Sequence, residues 1–169
     1  MAALPTSPLV PVEEYLNRSY EPDVEYVDGV LVERNTGDWL HSLIQSNILF
    51  ALRRKFPHLK VVAELRTSVA DSRFRLPDVC ALLAAPNTRY LLDAAYLVVE
   101  VLSVDDQMSA VMEKLKEYDR QGVSNIWLID PRLRLMSAYR HPALHEVAGE
   151  RMVTEDQQVW LSRDEIFAD

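Results

Sequence analysis

The sequence predicts an α/β domain in which a central mixed sheet is flanked by helices and preceded by an N-terminal hairpin. Three observations predict it. Asp28-Gly29 between two short apolar runs is a strong hairpin-turn signal. Residues 39–55 repeat their apolar positions at helical spacing. Residues 95–102 and 125–129 are almost continuously apolar, as strands buried on both faces are, and they bracket an amphipathic helix.

The elements follow in order. Residues 12–17 read as a short helix entered through Pro11, and residues 1–8, with Pro5 and Pro8, are expected to be loosely held. Residues 24–27 and 30–33 form the hairpin arms. In the helix over 39–55, Leu40, Leu43, Ile44, Ile48, Ala51 and Leu52 make the stripe, broken by Asn47, and Asp38 is placed to cap its start. Residues 61–65 are a strand candidate. Residues 69–70 and 74–83, around Asp71-Ser72, read as a second hairpin. The helix over 107–120 buries Met108, Val111, Met112, Leu115 and Tyr118 and stops at Gly122. Asp130-Pro131 closes the next strand, residues 133–139 make a weaker one, and residues 159–161 precede a helical turn at 164–167. No internal repeat is visible, so all 169 residues are expected to make one domain.

Composition excludes several classes. One cysteine, Cys80, allows no internal disulfide and no C-x-x-C metal site. Together with the lack of a basic segment before an N-terminal apolar run, this points to the cytoplasm. No apolar run is long enough for a bilayer-spanning helix. The net charge of −8 predicts that any DNA binding is weak and salt-sensitive, because such affinity comes mostly from neutralising phosphates. The charge is uneven. Residues 1–35 are strongly acidic, whereas Arg53, Arg54, Lys55, Lys60, Arg66, Arg73 and Arg75 face only Glu64 and Asp71 over 53–75. That stretch is either a local basic surface or a set of solvated side chains.

Two acids stand out against apolar text. Glu100 interrupts Leu97-Val98-Val99-Glu100-Val101-Leu102, and Asp78 follows Pro77 and precedes an apolar run. A carboxylate buried there needs a metal, a cation or hydrogen bonds. If the two strands pair, both acids reach one end of the sheet. With water they would form a hard oxygen site suited to Mg²⁺ or Mn²⁺, which lowers the pKa of an attacking water and neutralises phosphoryl charge. The alternative is that Asp78 merely begins a strand and Glu100 pairs with an arginine. His141 and His145 have the spacing of a zinc pair, but Pro142 disrupts a helix there and no further ligand is evident.

A set of segments runs from Val12-Glu13-Glu14-Tyr15-Leu16 through Glu25-Tyr26-Val27-Asp28-Gly29 to Arg75-Leu76-Pro77-Asp78-Val79 and Glu100-Val101-Leu102-Ser103. It continues in Lys114 through Tyr118, Gly122-Val123 and Trp127-Leu128-Ile129-Asp130-Pro131. In these segments the chain resembles the Uma2-like (DUF820) restriction-endonuclease family of the PD-(D/E)xK nuclease superfamily. The resemblance implies a restriction-endonuclease-like fold and a metal-dependent endonuclease acting on DNA, with Asp78 and Glu100 as metal ligands. It also marks Glu33 as a further acid and His41, at the opening of a helix, as a group near the metal cleft. His41 could equally cap or line the core. One departure is visible: where members often carry proline after E-V-L-S, this chain has Val104-Asp105-Asp106.

The lysine is displaced. In E-x-K, acid and lysine share one face of a strand, but position 102 is leucine. Lys114 and Lys116 flank the buried stripe of the next helix, and either could lay its stem over the core edge. Periodicity does not choose between them, and the resemblance chooses Lys114. The competing function is a catalytically silent nuclease fold that binds DNA or a protein partner, which the acidic surface favours. Cleavage of RNA or another phosphoester is a third reading. A homodimer is expected, because one acidic domain of this size offers little surface for gripping a duplex.

Overall fold

The computed structural model describes residues 8–35 and 37–169, so the expectation for residues 1–8 lies, except for Pro8, outside the described residues. The chain opens with α1 (Val12–Asn17), preceded by Pro11 as expected. The hairpin β1 (Glu25–Val27) and β2 (Val30–Val32) turns at Gly29, whose φ of +92° suits a residue without a side chain. Helix α2 (Trp39–Lys55) is capped by the Asp38 carboxylate, which accepts from the His41 backbone N–H.

Next come β3 (Lys60–Val62), β4 (Thr67–Ala70), β5 (Arg73–Arg75), β6 (Val79–Leu82) and β7 (Leu97–Val101). Helix α3 (Met108–Gln121) ends at Gly122, which takes the left-handed conformation with φ +96°. The chain finishes with β8 (Asn125–Asp130), β9 (Leu135–Arg140), β10 (Ala143–Glu146), β11 (Arg151–Val153), β12 (Trp160–Ser162) and α4 (Arg163–Ile166). Ser162 and Glu165 close a capping box on α4.

The central sheet has the order β10-β9-β8-β7-β6-β3. It is mixed: β7 and β8 are parallel and joined by the α3 crossover, and the other neighbours are antiparallel. Strand alternation divides its side chains between two cores. Val79, Ala81, Leu97, Val99, Val101, Trp127 and Ile129 face α2, α4 and the β11–β12 pair. Cys80, Leu82, Val98, Ile126 and Leu128 face α3. A second sheet, β2-β1-β5-β4, packs on α1 through Tyr15, Val24, Tyr26 and Phe74. The sequence-predicted fold class is the one observed.

The differences from the sequence reading have local causes. The expected strand over 74–83 is two strands in different sheets. Pro77 cannot donate to a ladder and restricts Leu76 before it, so the chain leaves the smaller sheet after Arg75 and joins the larger one at Val79. Strand β3 stops at Val62, and Glu64 follows with φ +54°. His141-Pro142 is the turn of the β9–β10 hairpin, so β10, absent from the sequence reading, carries His145. Strand β11 was not expected either; its residues alternate exposed and buried over only three positions. No helix among the described residues is long and apolar enough to cross a membrane.

Candidate active site

Asp78 and Glu100 meet where the larger sheet abuts the smaller one. Strands β6 and β7 are antiparallel with Val79 opposite Val99, and one further step in that register sets Asp78 opposite Glu100. Directly opposed residues of an antiparallel pair project to the same face. Both are buried, at 2% and 7% exposure.

Asp78 is heavily solvated by the protein. Its Oδ1 accepts from Arg34 Nη2 at 2.8 Å and lies 3.3 Å from His41 Nε2, and its Oδ2 accepts from the Val101 N–H at 2.8 Å. Burial pushes its carboxyl pKa up, but His41, Arg34 and the Val101 N–H outweigh burial and hold it below the usual range. Burial likewise opposes the charged form of His41, and the bond to Asp78 raises the imidazole pKa on balance. A Cβ on Gly37 would stand 2.7 Å from His41 Nδ1, so the chain passes over the imidazole only because residue 37 has no side chain.

Glu100 has less help. Tyr118 donates its hydroxyl to Oε1 at 2.6 Å, and among the described residues the second oxygen has no hydrogen bond. Burial, opposed by Lys114 and reinforced by Asp78, raises its pKa to about 8. Helix α3 brings Lys114, Glu117 and Tyr118 to this place because residues i, i+3 and i+4 share one face.

Behind the two acids lies a tight ionic lattice. Glu25, on β1, accepts from Arg75 Nη1 at 2.9 Å and Lys114 Nζ at 2.8 Å. Glu117 accepts from Arg75 Nε and Arg73 Nη1, both at 2.6 Å. Burial acts against the Lys114 ammonium, but Glu100 and Glu25 raise its pKa, so it stays charged.

Among the described residues, no group of three or more His, Cys, Asp and Glu side chains is arranged to hold a metal ion. The donors present suit a hard cation of the Mg²⁺ kind, which takes one or two carboxylates and completes its sphere with water and substrate. Glu100 is the observation that fits: a buried carboxylate beside a second one, with an oxygen unpaired.

Residues 12–167 match the sequence profile of the Uma2 family, described as "Putative restriction endonuclease". The chain belongs to the Uma2 family. The crystal structure of "a putative nuclease belonging to DUF820" from Anabaena variabilis ATCC 29413 is similar to this Uma2 chain, with a TM-score of 0.77 at 20% identity. The likeness covers 94% of this chain and 98% of that one and shows the shared fold. Among curated proteins, none matches at a significant level.

The residues singled out in the sequence are distributed as follows in this Uma2 protein. Asp78, Glu100, His41 and Lys114 come together. Glu33 does not: it is exposed beyond β2 and has no hydrogen bond or ion pair with the cluster among the described residues. The acid that the N-terminal hairpin delivers is Glu25. Lys116 makes no ion pair among the described residues, whereas Lys114 turns inward onto Glu25. Glu117, one residue beyond Lys116, is buried at 3% exposure. Tyr118 is a core residue as expected, but its hydroxyl also serves Glu100. Arg34, Arg75 and Glu117 were missed. Their signal was faint: only the motif containing Arg75 hinted that a charge belonged beside Asp78.

Proposed function

We propose that the chain is a metal-dependent endonuclease that hydrolyses phosphodiester bonds in DNA. The observation that carries this reading is the pair of buried carboxylates, Asp78 and Glu100, facing one another across β6 and β7 with a charged lysine beside them. Asp78 and Glu100 would hold Mg²⁺ or Mn²⁺. A bound ion of this kind supplies a water of lowered pKa and neutralises charge on the phosphoryl oxygens.

The chain's own residues then have separate tasks. Glu100 must give up its proton to take part, so the ionised pair forms more readily as pH rises towards 8. Tyr118 orients the Glu100 carboxylate. The Val101 N–H holds Asp78 Oδ2 and leaves Oδ1 towards Arg34 and His41. Lys114 serves as a fixed positive charge for the developing phosphoryl anion rather than as a base, because Glu100 and Glu25 keep it protonated. Arg34 shifts from Asp78 to the incoming phosphate, where guanidinium geometry favours two-point contact.

The test is cleavage of duplex, single-stranded and branched DNA with Mg²⁺ or Mn²⁺, with Asp78→Ala as control. Activity that needs the metal and vanishes in the variant supports the reading. A second reading is a silent nuclease fold that binds DNA or a protein partner. It is favoured by the fact that Arg34 and His41 already neutralise Asp78. DNA retention without cleavage under every metal condition would establish it.

A further inference from the structure

A concavity lies beside Glu64, whose backbone N–H is bonded to the residue before Asp78. It has a volume of about 330 Å³ and lies between the end of α1, the segment after β3, and Arg89-Tyr90. That volume is at the lower end for small-ligand pockets.

Its lining is unusual for a chain of net charge −8. Arg18, Arg66 and Arg89 face Asp23 and Glu64, with Tyr20 and Tyr90 between them. Both acids are already engaged. Arg66 forks onto Asp23 and lies over the Tyr15 ring at 4.4 Å, and Arg34 stands 3.4 Å from Glu64. Arg18 pairs with Glu14 at 3.0 Å across an exposed helical turn and lies 5.9 Å from the Tyr20 ring, and Arg89 has no ion pair or hydrogen bond among the described residues. Arg89 is thus left for an anion, and Arg18 can join it by giving up a weak surface pair. The Tyr20 hydroxyl is buried without a partner among the described residues, a polar atom that a ligand could satisfy.

The cavity and the acid pair share a wall. The Glu64 N–H donates to the Pro77 carbonyl, one residue before Asp78. The Gln45 amide reaches both the Asp78 carbonyl at 2.9 Å and Glu64 Oε1 at 3.5 Å. Glu64 therefore joins the cavity wall to the backbone that carries Asp78.

We propose that the cavity is a subsite for one unpaired nucleotide adjoining the cleaved bond. Arg18 and Arg89 take its phosphate and the tyrosine rings take its base, the combination by which single strands are gripped. The inference rests on the reading of the acid pair as a nuclease centre and narrows its substrate to single-stranded, flapped or flipped-out nucleic acid. Phosphate and base are common to DNA and RNA.

The test is binding, not cleavage. The full-length protein in EDTA is titrated with fluorescent oligothymidylate, with oligouridylate, and with a blunt DNA duplex of equal length. The expected result is single-strand affinity at least about tenfold above duplex affinity. The double variant Arg18→Ala/Arg89→Ala, checked for an unchanged melting curve, loses about tenfold or more on the single strand and nothing on the duplex. Its salt slope falls by about 0.7, the loss of one neutralised phosphate on a single strand. Tighter binding of oligouridylate would support the subsite and assign its source to RNA. Duplex preference, absence of single-strand binding, or an unaffected double variant would overturn the proposal. If single-strand binding behaves as expected but no metal supports cleavage, the nuclease reading fails and the subsite stands.

Discussion

Glu117 and Glu100 lie on neighbouring elements, are similarly buried, and have opposite surroundings. Glu117 receives two arginines at 2.6 Å, one on each oxygen. Glu100 receives one tyrosine hydroxyl, and its pKa is raised to about 8. The difference separates two uses of buried charge. Glu117 ties α3 to β5 and is complete without any ligand. Glu100 is left short of positive charge, and a buried carboxylate in that condition either keeps its proton or recruits a cation.

The largest effect should come from breaking the complete side. Glu117→Ala takes one of two acids from each arginine, leaving Arg75 on Glu25 and Arg73 on Asp28, so the cost should fall at or just below the roughly 3 kcal/mol at the low end for a broken buried pair. Urea unfolding measures it, and a loss below about 1 kcal/mol would place Glu117 among the surface charges. The next is catalytic. Lys114→Ala should lower the cleavage rate about 10²-fold, the scale for removing a charge aimed at a transition state, with the fold retained through Arg75 on Glu25. Two silent mutants, Lys114→Ala and Lys116→Ala, would remove lysine from the mechanism.

The third prediction concerns pH. The Glu100 pKa is raised from 4.5 unfolded to about 8 folded. Between those values the folded chain binds the extra proton, so this group's contribution is fully present below about 4.5 and is lost as pH rises through 8. In EDTA, stability should decline over that interval. Glu100→Gln should remove this decline and be more stable at pH 8 by on the order of 1 kcal/mol or more. A variant with the same pH profile as the unmodified protein would show that Glu100 ionises freely. The smallest effect belongs to Lys116→Ala, expected within about 0.5 kcal/mol in stability as an ordinary surface change and without change in rate.

The same contrast explains what could be read from the sequence. Asp78 and Glu100 were legible because each breaks a run of apolar residues, and a charge in a central strand stands out. The order of sheet and helices was legible for a related reason: α2 and α3 bury one face at helical period beyond their first turns, where Leu40 and Met108 are exposed, and β7 and β8 are apolar apart from Glu100, Asn125 and Asp130. Glu25 and Glu117 were not legible. Glu25 begins a three-residue strand, where an acid reads as the outward half of an alternation. Glu117 lies one residue from Lys116 on a helix whose polar side is rich in charge. Both are buried only because the smaller sheet folds against α3, a contact between distant parts of the chain. Glu33, expected as a further acid, lies exposed one residue beyond β2 and makes no hydrogen bond or ion pair with the cluster among the described residues.

The break at Pro77 also acts as a ruler. Arg75 is fixed to Glu25 and Glu117 in one sheet, and Val79 is fixed opposite Val99 in the other. Leu76, Pro77 and Asp78 alone span the gap, so their number sets which side chain arrives opposite Glu100. Inserting one residue here would present a neighbour of Asp78 instead, because a one-place slip turns every side chain to the other face. The distance along the chain between Arg75 and Asp78 is therefore as much a part of the site as the carboxylate itself.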